Sequence, residues 1–380
     1  MKVALVYDRI NKWGGAERVL LALHEIWPEA PLFTAVYDPK GAAWAKVFPR
    51  VIPSFLQYFP LARTHHEFYP WLTPLAFETF NFDDFDVVIS VTSAEAKSII
   101  TKPETLHICY SLTPTRYLWS GYDQYQETPG WGVGDSLARL TLKALGPTLR
   151  RWDLLAATRP DYYLAISERV KERVQRYYKR EVAAVIYPPV DLNKFKVKSE
   201  KLKVKDSYFL TVSRLVGHKR VDIIIDTFND LGWPLVVIGD GRARSELEYR
   251  AKSNITFLGA NLTDQDLVSY YQNCRALIVT AEEDFGLVAV EAQACGKPVV
   301  AFGQSGIAEV ITQGKTGLLF KRQDKEALSA ALLRFKRMNF TAEACRKSSE
   351  RFSKDTFTRQ MEKTVISLWQ RYQHEQEVKR

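Results

Sequence analysis

The chain has 380 residues, 46% of them apolar, and a formal net charge of +9. That length holds two or three domains of ordinary size, and the apolar share is that of a globular protein with a sizeable core. No run reaches the roughly 20 apolar residues that a membrane-crossing helix requires, and no RNA-binding aromatic strand, recognition helix or zinc finger accompanies the charge, so phosphorylated small molecules and anionic lipid are expected partners ahead of nucleic acid.

The strand Lys2 to Tyr7 begins too early to follow a signal peptide. Cys109, Cys274, Cys295 and Cys345 are scattered without metal or redox spacing, which predicts reduced core thiols in a cytoplasmic protein. After the first strand comes Gly14-Gly15-Ala16-Glu17, then a helix with Val19, Leu20, Leu23 and Ile26 on one face. Two glycines between a strand and a helix let backbone N–H groups approach a phosphate, although the full dinucleotide fingerprint is absent and a plain tight turn reads the same way. Pro31 to Tyr37 is a second strand. Phe48 to Phe85 is aromatic and irregular; His65 and His66 have no metal partner at ligand spacing and read as structural or surface residues. Asp84-Phe85-Asp86 leads into the strand Val87 to Ser90.

Leu106 to Tyr110 is the next strand and ends in the loop Ser111 to Trp119, where Thr113 and Arg116 are polar groups able to meet sugar or phosphate. Gly121 to Gly134, rich in Gly and Tyr, is expected to be mobile. Ser136 to Ala157 reads as a long basic amphipathic helix with a break or kink at Pro147. Two readings of it stand side by side: a surface for anionic lipid, or a helix covering the sheet. Asp161 to Ile166 is a strand, and Ser167 caps the helix Glu168 to Lys179. Val182 to Tyr187 and then Pro188-Pro189 close a first domain, and the lysine-rich segment Asn193 to Lys205 reads as a solvated linker.

The second half restarts the alternation. Tyr208 to Ser213 is a strand with Arg214 at its end, and Lys219-Arg220 enter a helix. Leu235 to Ile238 ends in Gly239-Asp240-Gly241-Arg242, Ile255 to Leu258 ends at Gly259, and Ala276 to Val279 follows. Lys297 to Ala301, Gly306 to Ile311 and Thr316 to Phe320 continue the series. Repeats of strand and helix predict parallel sheets with helices on both faces, and ligands outside the carboxyl ends of the strands.

One stretch organises the rest: Glu282-Glu283-Asp284-Phe285-Gly286-Leu287-Val288-Ala289-Val290-Glu291. It reads as an acidic loop with a glycine, then a helix whose first N–H groups, at Gly286 and Leu287, form an anion site. Glu283 and Glu291 lie on the order of 10 Å apart by helical rise. Carboxylates of a glycosidase pair sit at roughly 5–9.5 Å. The wider spacing suits two hydroxylated groups joined through a diphosphate.

This stretch, continuing through Ala294 to Ala301 and Gly306 to Phe320, resembles the E-x7-E signature of the retaining GT4 glycosyltransferases. The resemblance implies an α/β protein of GT-B fold: two Rossmann-like domains with parallel sheets facing a cleft. It divides the chain into residues 1–189 on the acceptor side, with the C-terminal helix 356–380 returning to them, and residues 190–355 for the nucleotide sugar. It implies that Glu283 binds hydroxyls of the transferred sugar and Glu291 the ribose diol. Arg214 and Lys219 would hold the diphosphate. Phe285, Gly286 and Leu287 would place N–H groups near sugar and phosphate, Leu258 and Leu262 would hold the base, Gly241 would join the donor site, and Gly15 would complete the cleft. Asp84-Phe85-Asp86 has the look of the metal-binding D-x-D of other glycosyltransferases, but GT-B enzymes do not need it, so no metal or other cofactor is expected. Relatives among bacterial mannosyl- and rhamnosyltransferases often carry a histidine before the Thr-Pro of the Ser111 loop; here Leu112 stands there, and the general base is unassigned. The implied activity is hexosyl transfer with retention, from a GDP- or UDP-sugar, mannose favoured, to a saccharide or lipid-linked saccharide, with peripheral contact to the inner membrane face. A non-catalytic nucleotide-binding scaffold, or an epimerase or phosphorylase of the same fold, is the alternative.

Overall fold

The computed structural model describes residues 1–65, 68–127, 135–196 and 208–379. Contacts divide the chain into two compact units, Met1–Pro189 with Asp355–Arg380, and Val190–Lys354.

Among the described residues the first unit is built on seven parallel strands: β1 (Val3–Tyr7), β2 (Leu32–Thr34), β3 (Val51–Pro53), β4 (Val87–Thr92), β5 (Leu106–Ser111), β6 (Tyr162–Ala165) and β7 (Val182–Val185), in the order 3-2-1-4-5-6-7. β4 and β5 are buried along their whole length, as strands covered on both faces must be. The helices are α1 (Gly15–Ile26), α2 (Thr73–Glu78), α3 (Tyr122–Glu127), α4 (Asp135–Ala156) and α5 (Glu168–Tyr178).

Three local expectations change. The aromatic stretch 48–85 supplies an edge strand, where Pro53 needs no ladder partner, and a helix opened by Pro74. Some of its rings join the core, with Phe33 5.1, 4.8 and 6.0 Å from Phe80, Phe82 and Phe85 by ring centroid, while Tyr58, Phe59, Phe68 and Trp71 are exposed. His65 stacks on Phe68, while His66 lies outside the described residues. Helix α4 runs through Pro147 without a break. The residue before it, Gly146, has no Cβ to clash with the proline ring. Of the glycine- and tyrosine-rich stretch 121–134, residues 122–127 form α3 and 128–134 lie outside the described residues.

The second unit repeats the plan with six parallel strands among the described residues: β8 (Phe209–Val212), β9 (Leu235–Ile238), β10 (Ile255–Leu258), β11 (Leu277–Val279), β12 (Val299–Phe302) and β13 (Gly317–Phe320), in the order 10-9-8-11-12-13. Its helices are α6 (Asn193–Lys196), α7 (Val221–Leu231), α8 (Arg244–Arg250), α9 (Asp264–Asn273), α10 (Leu287–Ala294), α11 (Lys325–Phe335) and α12 (Ala342–Ser349). The expected linker 193–205 therefore begins with a helical turn, and residues 197–205 lie outside the described residues. Gly306 to Ile311 is a short 3-10 helix, Gly306–Glu309, capped by the Ser305 hydroxyl. Helix α9 was not foreseen, although Thr263 and Asp266 form a full capping box at its start.

The chain then ends in α13 (Lys354–Lys379), which belongs to the first unit. Phe357 meets Tyr110 with ring centroids 6.1 Å apart, and the Tyr372 hydroxyl donates to the Pro103 carbonyl at 2.7 Å. Each sheet reverses its strand order once, between β1 and β4 and between β8 and β11. In open parallel sheets that reversal opens the crevice where ligands bind.

Candidate active site

The second unit's reversal point gathers the residues singled out in the sequence. β8 ends at Val212, and the chain runs past Arg214 and through a 3-10 turn, Gly217–Lys219, into α7. Its neighbour β11 ends at Val279, and the chain runs past Thr280 and through the acidic loop into α10. Gly286 caps α10 at φ +100, a left-handed conformation, and a Cβ there would stand 2.7 Å from the Ile307 side chain. Gly306 meets the same loop from the other side. Its N–H donates to the Glu283 carbonyl at 2.8 Å, and a Cβ on it would fall 2.1 Å from the Asp284 carbonyl oxygen. The acidic loop is thus clamped on the turn at Gly306, and the start of α10 is fixed with it. No side chain caps α10, so its first N–H groups and dipole form a positive edge.

The Lys219 ammonium donates to Glu283 Oε1 at 2.7 Å, and both side chains are largely buried. The buried Thr280 hydroxyl lies 2.7 Å from the Arg220 carbonyl and 3.2 Å from that of Lys219. Arg220 itself adopts φ +50, left-handed for a non-glycine residue. Its guanidinium donates to Asp222 and, at 3.4 Å, to Gln323, whose amide donates to the Thr280 carbonyl at 2.7 Å. This ring of bonds fixes the backbone beneath Lys219. Thr280, Arg220 and Gln323 were not picked out in the sequence. The one local signal was Arg220 beside Lys219; Gln323 lies 103 positions away.

The other expected donor residues fall on the same unit. Arg214 is exposed and makes no side-chain hydrogen bond or ion pair among the described residues. Glu291, one turn into α10, is 3% exposed and accepts from the Tyr271 hydroxyl at 2.8 Å. Phe285 is buried with its ring 5.2 Å from Phe352, which anchors the loop. Leu287 is the first residue of α10. Gly241 follows β9 in a loop tied to the segment after β8 by the Leu215 N–H donating to the Asp240 carbonyl at 2.8 Å. Leu258 closes β10 with its carbonyl already accepting from the Gly239 N–H at 3.2 Å, and Leu262 is half-buried beyond it.

Three candidates lie in the first unit. Gly15 opens α1, beside Glu17, which accepts from the Tyr7 hydroxyl at 2.9 Å. Thr113 is 4% exposed, with its hydroxyl 3.5 Å from the Arg173 guanidinium. Arg116 is half-buried, and its carbonyl accepts from Gly121 at 2.9 Å.

The carboxyl edge of the first sheet also carries a buried polar network. Asp8 accepts from the Thr92 hydroxyl at 2.7 Å and from the Ser93 and Ala96 N–H groups at 2.8 and 2.9 Å. Lys97 donates to Asp153 at 2.6 Å, both almost fully buried. Burial alone would lower the Lys97 ammonium, but Asp153 raises it above its ordinary range. Burial, with Asp8 nearby, raises the Glu95 carboxyl, which accepts from the Tyr117 hydroxyl at 2.6 Å. Among the described residues no group of three or more His, Cys, Asp and Glu is placed to hold a metal ion, and no helix is long and apolar enough to cross a membrane.

Residues 193–355, almost all of the second unit, match the family model for glycosyl transferases group 1. An uncharacterized glycosyltransferase of Methanocaldococcus jannaschii is 32% identical over 185 residues, 47% of this chain and 50% of that protein. A D-inositol 3-phosphate glycosyltransferase of Mycobacterium tuberculosis is 32% identical over 154 residues, 36% of this chain and 32% of that protein. The chain thus spans half or less of the length of these curated relatives. The solved structure of Anabaena HepE with UDP and glucose superposes with TM-score 0.71 at 20% identity, covering 97% of this chain and 100% of that one. The fold is GT-B, and residues 193–355 are similar to group 1 glycosyl transferases.

Proposed function

We propose that this chain is a retaining hexosyltransferase that takes its sugar from a nucleotide-diphosphate donor. The observation that carries the reading is the Lys219–Glu283 pair at the reversal point of the second sheet, beside the start of α10. A fixed cation and oriented N–H groups suit a departing diphosphate, and a carboxylate beside them suits sugar hydroxyls. Arg214 adds a second cation and Glu291 a ribose acceptor. The mechanism needs no metal: charge growing on the leaving phosphate is taken by Lys219, Arg214 and the α10 dipole, and the phosphate helps to deprotonate the acceptor on the same face of the sugar.

Mannose on GDP is favoured by the likeness of the first unit to bacterial mannosyltransferases; the solved neighbour bound to UDP and glucose favours uridine. The acceptor is a saccharide or lipid-linked saccharide, reached from the cytoplasm by peripheral docking on anionic lipid. On α4, Leu140 and Leu155 are 65% and 64% exposed, and Lys143 and Arg151 are exposed beside them. Arg150 does not belong to that face: it donates to the Leu118 carbonyl at 2.7 Å and lies over the Tyr122 ring. A thermal-shift panel of UDP, GDP and other nucleotide diphosphates tests the donor reading. At least one should raise the melting temperature, and a panel with no shift would refute it.

A further inference from the structure

We propose that Glu283, through its contact with Lys219, makes this site prefer a nucleotide sugar over the nucleotide diphosphate left after transfer; this rests on the donor reading above. Both members of the pair are held from behind. The Lys219 and Arg220 carbonyls lie within reach of the buried Thr280 hydroxyl, at 3.2 and 2.7 Å. Arg220 keeps a left-handed backbone that a non-glycine residue adopts only at an energetic cost. Tolerating it shows how firmly the Thr280 and Gln323 bonds fix this turn. On the other side the Glu283 carbonyl accepts from Gly306, in a loop with no room for a single added Cβ. Neither backbone is free to swing away, so a phosphate that takes the Lys219 ammonium also meets the Glu283 carboxylate.

The two ligands differ in what they offer that carboxylate. A sugar ester brings hydroxyl donors and leaves the outer phosphate with one negative charge. The free diphosphate brings no hydroxyl, and its terminal phosphate, with a second pKa near 6, carries close to two charges at neutral pH. With the Lys219 and Glu283 side chains only 14% and 21% exposed, solvent screens the repulsion incompletely. Glu283 therefore attracts the donor and repels the product, which favours product release.

Calorimetry on the full chain with UDP, UDP-glucose, GDP and GDP-mannose tests this for the wild type, Glu283→Gln and Glu283→Asp. The Gln variant should bind the cognate diphosphate roughly tenfold more tightly and its sugar ester more weakly, inverting the preference. The Asp variant keeps the charge and should keep the wild-type order. If Gln weakens both ligands alike or changes neither, or if Asp inverts the order as Gln does, Glu283 does not discriminate by charge and the proposal falls. Melting temperatures of the variants identify a loss caused by unfolding, and the Asp comparison then decides. A wild type that binds none of the four ligands overturns the donor reading itself, and this inference with it.

Discussion

Glu291 illustrates how burial gives a carboxylate its role. It has almost no exposed surface, and the Tyr271 hydroxyl holds one of its oxygens. In the donor reading Glu291 meets the ribose, so Glu291→Ala removes a charged acceptor, and nucleotide diphosphate affinity should fall by about 1.5–3 kcal/mol. Equal affinity in calorimetry would remove the ribose assignment. Glu283 with Glu291, and Arg214 with Lys219, could be singled out in the sequence because each pair lies close along the chain, although 64 positions separate Lys219 from Glu283. Their supports could not: Thr280 acts through two carbonyl groups, and Gln323 reaches Arg220 only after the chain has laid down five more strands, β9 to β13. His107 was equally silent. It lies buried on β5 with Ser90 2.8 Å from Nε2, and burial, with Arg159 nearby, lowers its imidazole from 6.5 to about 3. The unfolded chain therefore binds a proton that the folded chain refuses between those two values. This contribution to stability is complete above about pH 6.5 and is lost as the pH falls toward 3, by at most about 1.4 kcal/mol per pH unit. Urea unfolding at pH 7 and pH 5 should show a drop that His107→Gln reduces; an unchanged slope in the variant would assign the drop to other groups.

At the level of elements, most of the alternation could be read because buried parallel strands are short apolar runs with helices between them. β3 and α2 were missed because aromatic residues serve a core and an irregular loop equally well. Helix α4 continues through Pro147, where a break or kink was expected; Gly146 before it removes one of the clashes a proline brings. The loop before α10 depends on Gly306, whose Cβ would strike the Asp284 carbonyl. Gly306→Ala must displace that loop, and it should cut turnover at least about tenfold through misplaced N–H groups, with a lower melting temperature. Full activity in the variant would mean the clamp has no catalytic role. In the first unit α4 is tied down by Asp153, which accepts from Lys97, Thr115 and Trp119 at 2.6, 2.8 and 2.7 Å. Asp153→Ala strands a buried ammonium and should cost about 3–5 kcal/mol in chemical unfolding. A cost below about 1 kcal/mol would show that Lys97 finds water or another partner.

For the molecule as a whole, two doubly wound sheets set the chemistry at strand ends, and a basic surface of net charge +9 suits anionic ligands and lipid alike. Lipid docking predicts sedimentation with anionic vesicles at low salt. It should weaken as salt rises and again when Lys143 and Arg151 become Glu; no sedimentation at low salt would leave α4 as a helix covering the sheet. The claim on which everything else depends is metal-free donor activation by Lys219. Its most direct test is the release of nucleotide diphosphate from UDP-glucose and GDP-mannose by the wild type and Lys219→Ala, with and without EDTA. The wild type should release product slowly from at least one donor, EDTA should leave the rate unchanged, and the variant should lose about a hundredfold in kcat with a smaller change in KM. Equal rates in the two proteins, or release that vanishes with EDTA and returns with Mn²⁺, would contradict it.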